Sequence, residues 1–293
     1  MTQTERIKAA IAAGNTTIQA VWEFVKGEIP RPSIRRVLGQ GAIKGIFQRV
    51  DKGIYTLTTE QGEVRAYVEC GLAEEVVPRL EATGLKFDMV FLDPAYFSKG
   101  LIGGNRGIKD YDFLHPQEFA IIMKAVHNMM RTDDSHVYLM LSQAPSVQMD
   151  MHKYIFAAME SGLKHAADGR YYKTNKDGTP VTNVKGRKAA SERILVFSRS
   201  GKLREGEAPM ELTFTCERPA IRSSYSTQKA EPFIEQLILQ ATNENETVGD
   251  LAGAGSGVFG KCALALNRIV YMVEKLQSAI DNFIIPKIQQ YAY

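Results

Sequence analysis

At 293 residues, with 44% hydrophobic and 24% charged residues, the chain reads as a globular protein of one large domain or two. No run approaches the roughly 18 apolar residues of a membrane span, and the opening "MTQTERIKAAIAAG" lacks the apolar core and cleavage pattern of a signal peptide. Three scattered cysteines (Cys70, Cys216, Cys262) show neither metal-ligand spacing nor a disulfide framework, so a reducing, cytoplasmic setting is expected; with a net charge of only +3, the distribution of charge says more than its sum.

In chain order, "TERIKAAIAAG" and "NTTIQAVWEFVKG" carry helical spacing, the second with Ile18, Val21, Trp22 and Val25 on one face. "RPSIRRVLGQGAIKG" predicts a third helix capped by Ser33. "GIFQRVDKGIYTLT" predicts two short strands around Asp51-Lys52-Gly53, where glycine supplies the positive φ of a hairpin turn. Three helices and a basic hairpin resemble a winged helix-turn-helix domain over residues 1–59. That arrangement would set Arg35, Arg36, Lys44, Arg49 and Lys52 toward DNA. A small helical cap with a solvated basic face is the plainer alternative.

From residue 64 the pattern changes. "VRAYVEC" alternates as a strand, "LAEEVVPRLEAT" is helical and "FDMVFLD" is a buried strand; strand-helix-strand order favours a parallel sheet. "PQEFAIIMKAVHNMM" predicts a helix with Phe119, Ile122, Met123 and Val126 inward. The strand "HVYLML" and the helix "SVQMDMHKYIFAAMESG" follow. Residues 163–204 read as a polar, Gly- and Asn-rich loop that ends in the strand "RILVFS". From Lys164 to Arg204, eleven basic residues against three acids (Asp168, Asp177, Glu192) give +8, which exceeds the whole chain's +3. Basic residues interleaved with Tyr171 and Tyr172 suit phosphate neutralisation and base stacking.

The last third predicts an amphipathic helix, "AEPFIEQLILQAT". "TVGDLAGAGSGVFGKCALALNRIVYMVEK" then reads as strand, glycine turn, helix and strand, and a helical end is interrupted at Pro286. Gly253-x-Gly255-x-Gly257 lies between strand and helix, where bare backbone can approach a nucleotide-like ligand. Glu274, at the end of the next strand, is placed to accept ribose hydroxyl hydrogen bonds. The same stretch nearly spells a P-loop from Gly255 to Lys261, with Cys262 standing where a magnesium-binding hydroxyl belongs.

Asp93-Pro94-Ala95-Tyr96 at the end of a buried strand, the basic segment and the late glycine loop together resemble the amino-group DNA methyltransferases. Their order is that of the permuted β class. The resemblance covers roughly residues 64–280. It implies an α/β, Rossmann-like methyltransferase domain over 60–293, with a target-recognition insert at about 163–225. It also implies S-adenosylmethionine as the cofactor and methyl transfer to a base amino group, most simply adenine N6, with cytosine N4 and RNA adenine as alternatives. A P-loop ATPase and a catalytically silent DNA-binding regulator are the readings outside that chemistry.

By the same resemblance Asp93, Pro94 and Tyr96 form the catalytic motif. The cofactor falls to Asp250, Gly253, Gly255, Ser256, Gly257, Glu274 and Lys229. Arg170, Tyr172, Lys173, Lys185, Arg187 and Lys188 would meet duplex DNA with its target base flipped. No metal is implied, and the enzyme would be cytoplasmic, at the nucleoid. The chain differs from the family pattern in three places: Ala95 stands where a second proline is usual, Leu72 where an acid follows glycine, and in the cofactor loop Asp250 is one residue further from Gly255-Ser256-Gly257 and Val258 replaces threonine.

Overall fold

The computed structural model describes residues 45–59, 63–94, 114–142, 145–181, 191–217, 219 and 228–291. The three helices expected ahead of residue 45, with Arg35, Arg36 and Lys44, lie outside the described residues, as do Tyr96, Lys185, Arg187 and Lys188.

Among the described residues, ten strands form one sheet. The chain runs β1 (Gly45–Asp51), β2 (Ile54–Thr59), β3 (Val64–Cys70), α1 (Ala73–Ala82), β4 (Met89–Leu92), α2 (Pro116–Met129), β5 (His136–Ser142) and α3 (Pro145–Glu160). It continues through β6 (Lys164–Thr174), β7 (Ser191–Ser198), β8 (Thr213–Glu217), α4 (Glu231–Ala241), β9 (Thr247–Asp250), α5 (Val258–Ala265) and β10 (Ile269–Glu274). A helical tail over 277–291 closes the chain.

The spatial order is β1-β2-β3-β10-β9-β4-β5-β7-β6-β8, and β3, β10, β9, β4 and β5 run parallel. The centre is buried on both faces. Met89 and Phe91 of β4 pack into one apolar cluster, with α4, α5 and the tail. Val90 and Leu92 pack into the other, with α1, α2 and α3. This explains why "MVFL" is apolar at every position instead of alternating: a strand covered on both sides has no solvent face. The helices follow from their local chemistry. Pro116 opens α2, where its missing N–H costs nothing, and the Glu118 carboxylate accepts the His115 N–H at 2.7 Å in a reciprocal cap. In the tail a π segment (Ile280–Ile284) ends two residues before Pro286. A proline ring crowds the carbonyl four residues back, and a widened turn relieves that crowding, so the helix bends its hydrogen-bond pattern rather than stopping.

Two expectations need correcting. Residues 164–174, read as loop, form β6, which pairs antiparallel with β7 and parallel with β8. Gly169 and Asp168 disguised the strand, whereas the buried position of Tyr171 between part-buried neighbours supports it. The hairpin expected as a wing is also stitched into this sheet: β2 pairs antiparallel with β3. The expected boundary at 59/60 therefore falls between two hydrogen-bonded strands. Among the described residues no helix is long and apolar enough to cross a membrane.

The amino ends of the central strands are tied by Asp88. Its carboxylate accepts the Thr247 N–H at 3.0 Å and the Arg131 Nε at 3.0 Å, and its backbone N–H reaches the Thr247 carbonyl at 2.8 Å. Beside it, buried His136 accepts the Arg204 N–H at Nε2 (2.7 Å), and its Nδ1 lies 3.3 Å from the Tyr138 hydroxyl. An acceptor Nε2 requires the neutral ring. Burial, helped by the Arg204 charge and opposed by Asp134, pulls the ring from 6.5 down to about 4.

The unfolded chain therefore binds this proton more tightly than the folded one, and stability rises with pH between those values. Urea denaturation at pH 7 and pH 5 should show a loss of about 2 kcal/mol from this group on acidification. His136→Gln should flatten that part of the dependence; an unchanged slope would contradict the assignment.

Candidate active site at the carboxyl edge of the sheet

From β4 the chain crosses by α2 to β5 on one side, and from β9 it crosses by α5 to β10 on the other. The carboxyl ends of β4 and β9 therefore diverge from adjacent positions, with Phe91 opposite Asp250. Open α/β sheets form a ligand crevice at such a switch point. Asp93 leaves β4 there, followed by buried Pro94, and Asp250 ends β9. Glu274 ends β10 one strand further.

The glycine loop begins directly after Asp250. Gly253 has φ 106° and Gly257 φ 68°, a region where side chains are strained. A Cβ on Gly253 would stand 3.8 Å from the Asp93 carbonyl, so the loop passes alongside the start of the Asp-Pro turn. Gly257 is also pressed from outside, since a Cβ there would come within 2.8 Å of Ile284 Cα in the tail. The loop is held from two further directions. Its Gly255 N–H donates to Glu274 Oε2 at 2.7 Å, and the Lys287 ammonium donates to the Ser256 carbonyl and to Gln228 Oε1. Glu274 Oε1 accepts the Leu276 N–H at 3.0 Å, which leaves further lone pairs on this carboxylate for a ligand hydroxyl.

Two features of the crevice are electrostatic. Asp250 is buried, and its Oδ1 has no hydrogen-bond partner among the described residues. Burial first, then the charges of Asp93 and Glu274, push its carboxyl well above the usual range. An orphaned buried acceptor among like charges is a place for a cationic or N–H donor group of a ligand. The second feature is Lys229, whose Nζ lies 2.6 Å from Asp93 Oδ2 and 2.8 Å from Glu192 Oε2. Glu192, at the start of β7, pairs through its other oxygen with Lys173 at the end of β6. Burial pushes the Asp93 carboxyl up and Glu192 adds to this, against the pull of Lys229. Burial also works against the charged forms of the other two groups but is outweighed. The lysines hold Glu192 down to about 2, and the carboxylates hold Lys229 well above its ordinary value.

The structure thus gathers Asp93, Asp250, Gly253, Gly255, Ser256, Gly257, Glu274 and Lys229 on one edge. Lys229, expected beside the cofactor loop, bridges Asp93 to Glu192. Sequence reasoning counts Glu192 among the three acids of a basic stretch and does not single it out. Its signal is an acid at the second position of a strand, directly before "RILVF". The basic segment is partly self-neutralised, because Arg170 and Arg193 both pair with Asp168. Tyr172 is half-buried on β6 near Lys173. Arg49 and Lys52 are exposed on the hairpin at the opposite margin of the sheet. Lys261, the lysine of the near P-loop, is committed to Glu231 on α4 at 2.6 Å.

No protein-family model matches the chain, and no curated protein matches it in sequence. Solved structures do match in fold. M1.HpyAVI in complex with SAM superposes with a TM-score of 0.56 at 15% identity, over 76% of this chain and 98% of that one. TTHA0409 from Thermus thermophilus, complexed with S-adenosyl-L-methionine, gives 0.55 at 14% identity over 77% and 93%. PvuII DNA methyltransferase (cytosine-N4-specific) gives 0.55 at 13% identity over 78% and 91%. The chain shares the Rossmann-like α/β fold of these structures.

Proposed function

We propose that this chain transfers a methyl group from S-adenosylmethionine to an exocyclic amino group of a base in DNA, adenine N6 being the first choice. One observation carries the reading: the Asp93-Pro94 turn and the Gly253–Gly257 loop leave adjacent strand ends and lie side by side. A donor on the loop and an acceptor base at the turn would then face each other, and such positioning supplies much of the rate of a direct transfer.

The residues fit the cofactor. S-adenosylmethionine supplies a methyl group on a positively charged sulfur and also carries an ammonium group and ribose hydroxyls. Asp250, orphaned and crowded by carboxylates, suits the cationic end. Glu274 retains acceptor capacity for hydroxyls, and the glycines leave bare backbone between them. The amino nitrogen of a base is a weak nucleophile because its lone pair is delocalised into the ring. Asp93 accepts one N–H and the Pro94 carbonyl the other, which favours a more tetrahedral nitrogen with a freer lone pair. When the nitrogen gains the methyl, one N–H proton becomes acidic, and the Asp93 carboxylate is its first acceptor. Proline fixes φ and keeps the turn stiff while this happens. Tyr96, outside the described residues, is assigned the stacking face for a base withdrawn from the duplex. Lys173, Arg170 and Tyr172, on the edge beyond β7, are assigned to DNA, as are Lys185, Arg187 and Lys188 outside the described residues, and Arg49 and Lys52 at the other margin.

The P-loop reading has a specific observation against it, since Lys261 is held by Glu231 rather than free to reach a phosphate. Cytosine N4 shares the same acceptor chemistry, and the structural similarity to a cytosine-N4-specific enzyme keeps it as the second reading.

Asp93→Ala should lower methyl transfer by at least about 100-fold, the usual scale for a positioned proton acceptor, in protein that circular dichroism shows to be folded, with a lower unfolding temperature because the buried Lys229 ammonium loses one partner. Incubation with labelled S-adenosylmethionine and unmethylated DNA or RNA, followed by mass spectrometry of the nucleosides, identifies the product. Retained activity in Asp93→Ala would sink the assignment.

Asp250→Asn should weaken S-adenosylmethionine binding by roughly 10- to 100-fold in calorimetry, as expected for a lost charged hydrogen bond. The ligand-free variant should gain stability. The folded Asp250 carboxyl is raised, so the penalty it removes is absent at acid pH and grows as pH rises through the unfolded value of 3.8. A variant less stable than the parent at pH 8 would count against an unpaired Asp250.

A further inference from the structure

Asp93 is one end of a row of alternating charge: Lys173, Glu192, Lys229, Asp93. The four residues come from β6, β7, the segment before α4 and the end of β4, so the row exists only in the folded sheet. Side-chain exposures of 7% for Lys229, 16% for Glu192 and 24% for Asp93 show its inner members largely withdrawn from water, where charges act strongly on one another. The lysine is placed by more than its ion pairs. The Tyr171 hydroxyl accepts the N–H of the next residue, Ala230, at 3.3 Å, and the Tyr171 ring stacks on Phe233 of α4 at 4.2 Å. Its backbone is therefore held by the same hairpin that supplies Glu192.

A buried ammonium bonded to a carboxylate alone would draw charge from it and make it a poor acceptor for a base N–H. Glu192 changes that balance. It takes a second hydrogen of the same ammonium at nearly the same distance, 2.8 Å against 2.6 Å, and places a second negative charge behind it. The charged groups around Asp93 among the described residues are Lys229, Glu192, Lys173 and, on β9, Asp250. Among the described residues, only Glu192 shares the ammonium with it.

We infer that Glu192 is a positioning residue of the methyl-transfer site: through Lys229 it sets the orientation and acceptor strength of Asp93. Lys173 holds Glu192 from the outer side, so the basic hairpin that would lie along nucleic acid is joined by ion pairs to the acceptor of the base amino group. This inference rests on the methyltransferase reading above.

The test compares the parent protein with Glu192→Gln and Glu192→Asp in steady-state methylation across pH. It also follows the Lys229 ammonium by 15N NMR of lysine-labelled protein, assigned with Lys229→Arg. Glu192→Gln should lower kcat about tenfold and leave KM for S-adenosylmethionine and DNA within about twofold. It should move the acid limb of the kcat profile to lower pH, because a negative charge that raises Asp93 is gone. Glu192→Asp should recover part of kcat and return the limb toward its original position. The Lys229 resonance should be exchange-protected in the parent and lose that protection in Glu192→Gln.

An unmoved acid limb, or a kcat loss that merely follows lost thermal stability, overturns the positioning role. If the parent transfers no methyl group, the methyltransferase reading itself fails and takes the catalytic role of Glu192 with it. A protected Lys229 resonance would then still establish the ion-pair row. If methyl transfer is present and the resonance is unprotected, the row is absent in solution and the inference falls alone.

Discussion

Carboxylates gathered at one edge of a parallel sheet repel each other, and the arrangement of this protein turns on how that repulsion is met. Asp93, Asp250 and Glu274 are brought to neighbouring strand ends by the topology itself, because the strands that carry them are paired in register. Each is answered differently. Glu274 accepts two backbone N–H groups, Asp93 receives the Lys229 ammonium, and Asp250 Oδ1 is left without a hydrogen-bond partner among the described residues. The two satisfied acids form the frame of the crevice. The unsatisfied one marks where a ligand has most to contribute, since a buried acceptor without a donor is the costly state.

The opposite edge of the sheet is arranged for rigidity. Asp88 ties the starts of β4 and β9 together and is itself gripped by Arg131, while neutral His136 receives the backbone of Arg204. Each of these polar groups has a partner. The paired groups around Asp88 and His136 contrast with the carboxyl edge, where Asp250 Oδ1 has no hydrogen-bond partner among the described residues. The tail completes the second by packing on Gly257 and sending Lys287 to the Ser256 carbonyl.

Much of this was legible in the chain. The apolar run of β4, the helical spacing of α2 and the strand, glycine turn and helix from β9 to α5 all carry strong local periodicity, and each lies where its pattern placed it. The expectation failed where local composition contradicted long-range pairing. β6 contains Gly169 and Asp168 and looks like loop, yet it is a strand because β7 and β8 supply hydrogen bonds on both sides. The short β8 was not anticipated for the same reason, as its five residues gain their structure from β6. The hairpin β1–β2 was recognised as a hairpin, but its attachment to β3 depended on a pairing that no local signal encodes.

By itself, the sequence determined the kinds of residue available to the site and the local geometry that presents them: an acid and a proline at a strand end, and glycines at a strand-to-helix turn. Those are short-range consequences of burial pattern, fixed φ and backbone freedom. Only the tertiary structure decided that Asp93 and the glycine loop are neighbours, because strand order in a sheet is set by packing across more than 150 residues of intervening chain. The same holds for Lys229 between Asp93 and Glu192. An ion pair among residues so distant in sequence forms only when burial has already brought their elements together, and the low water content of that contact is what gives their charges influence over one another.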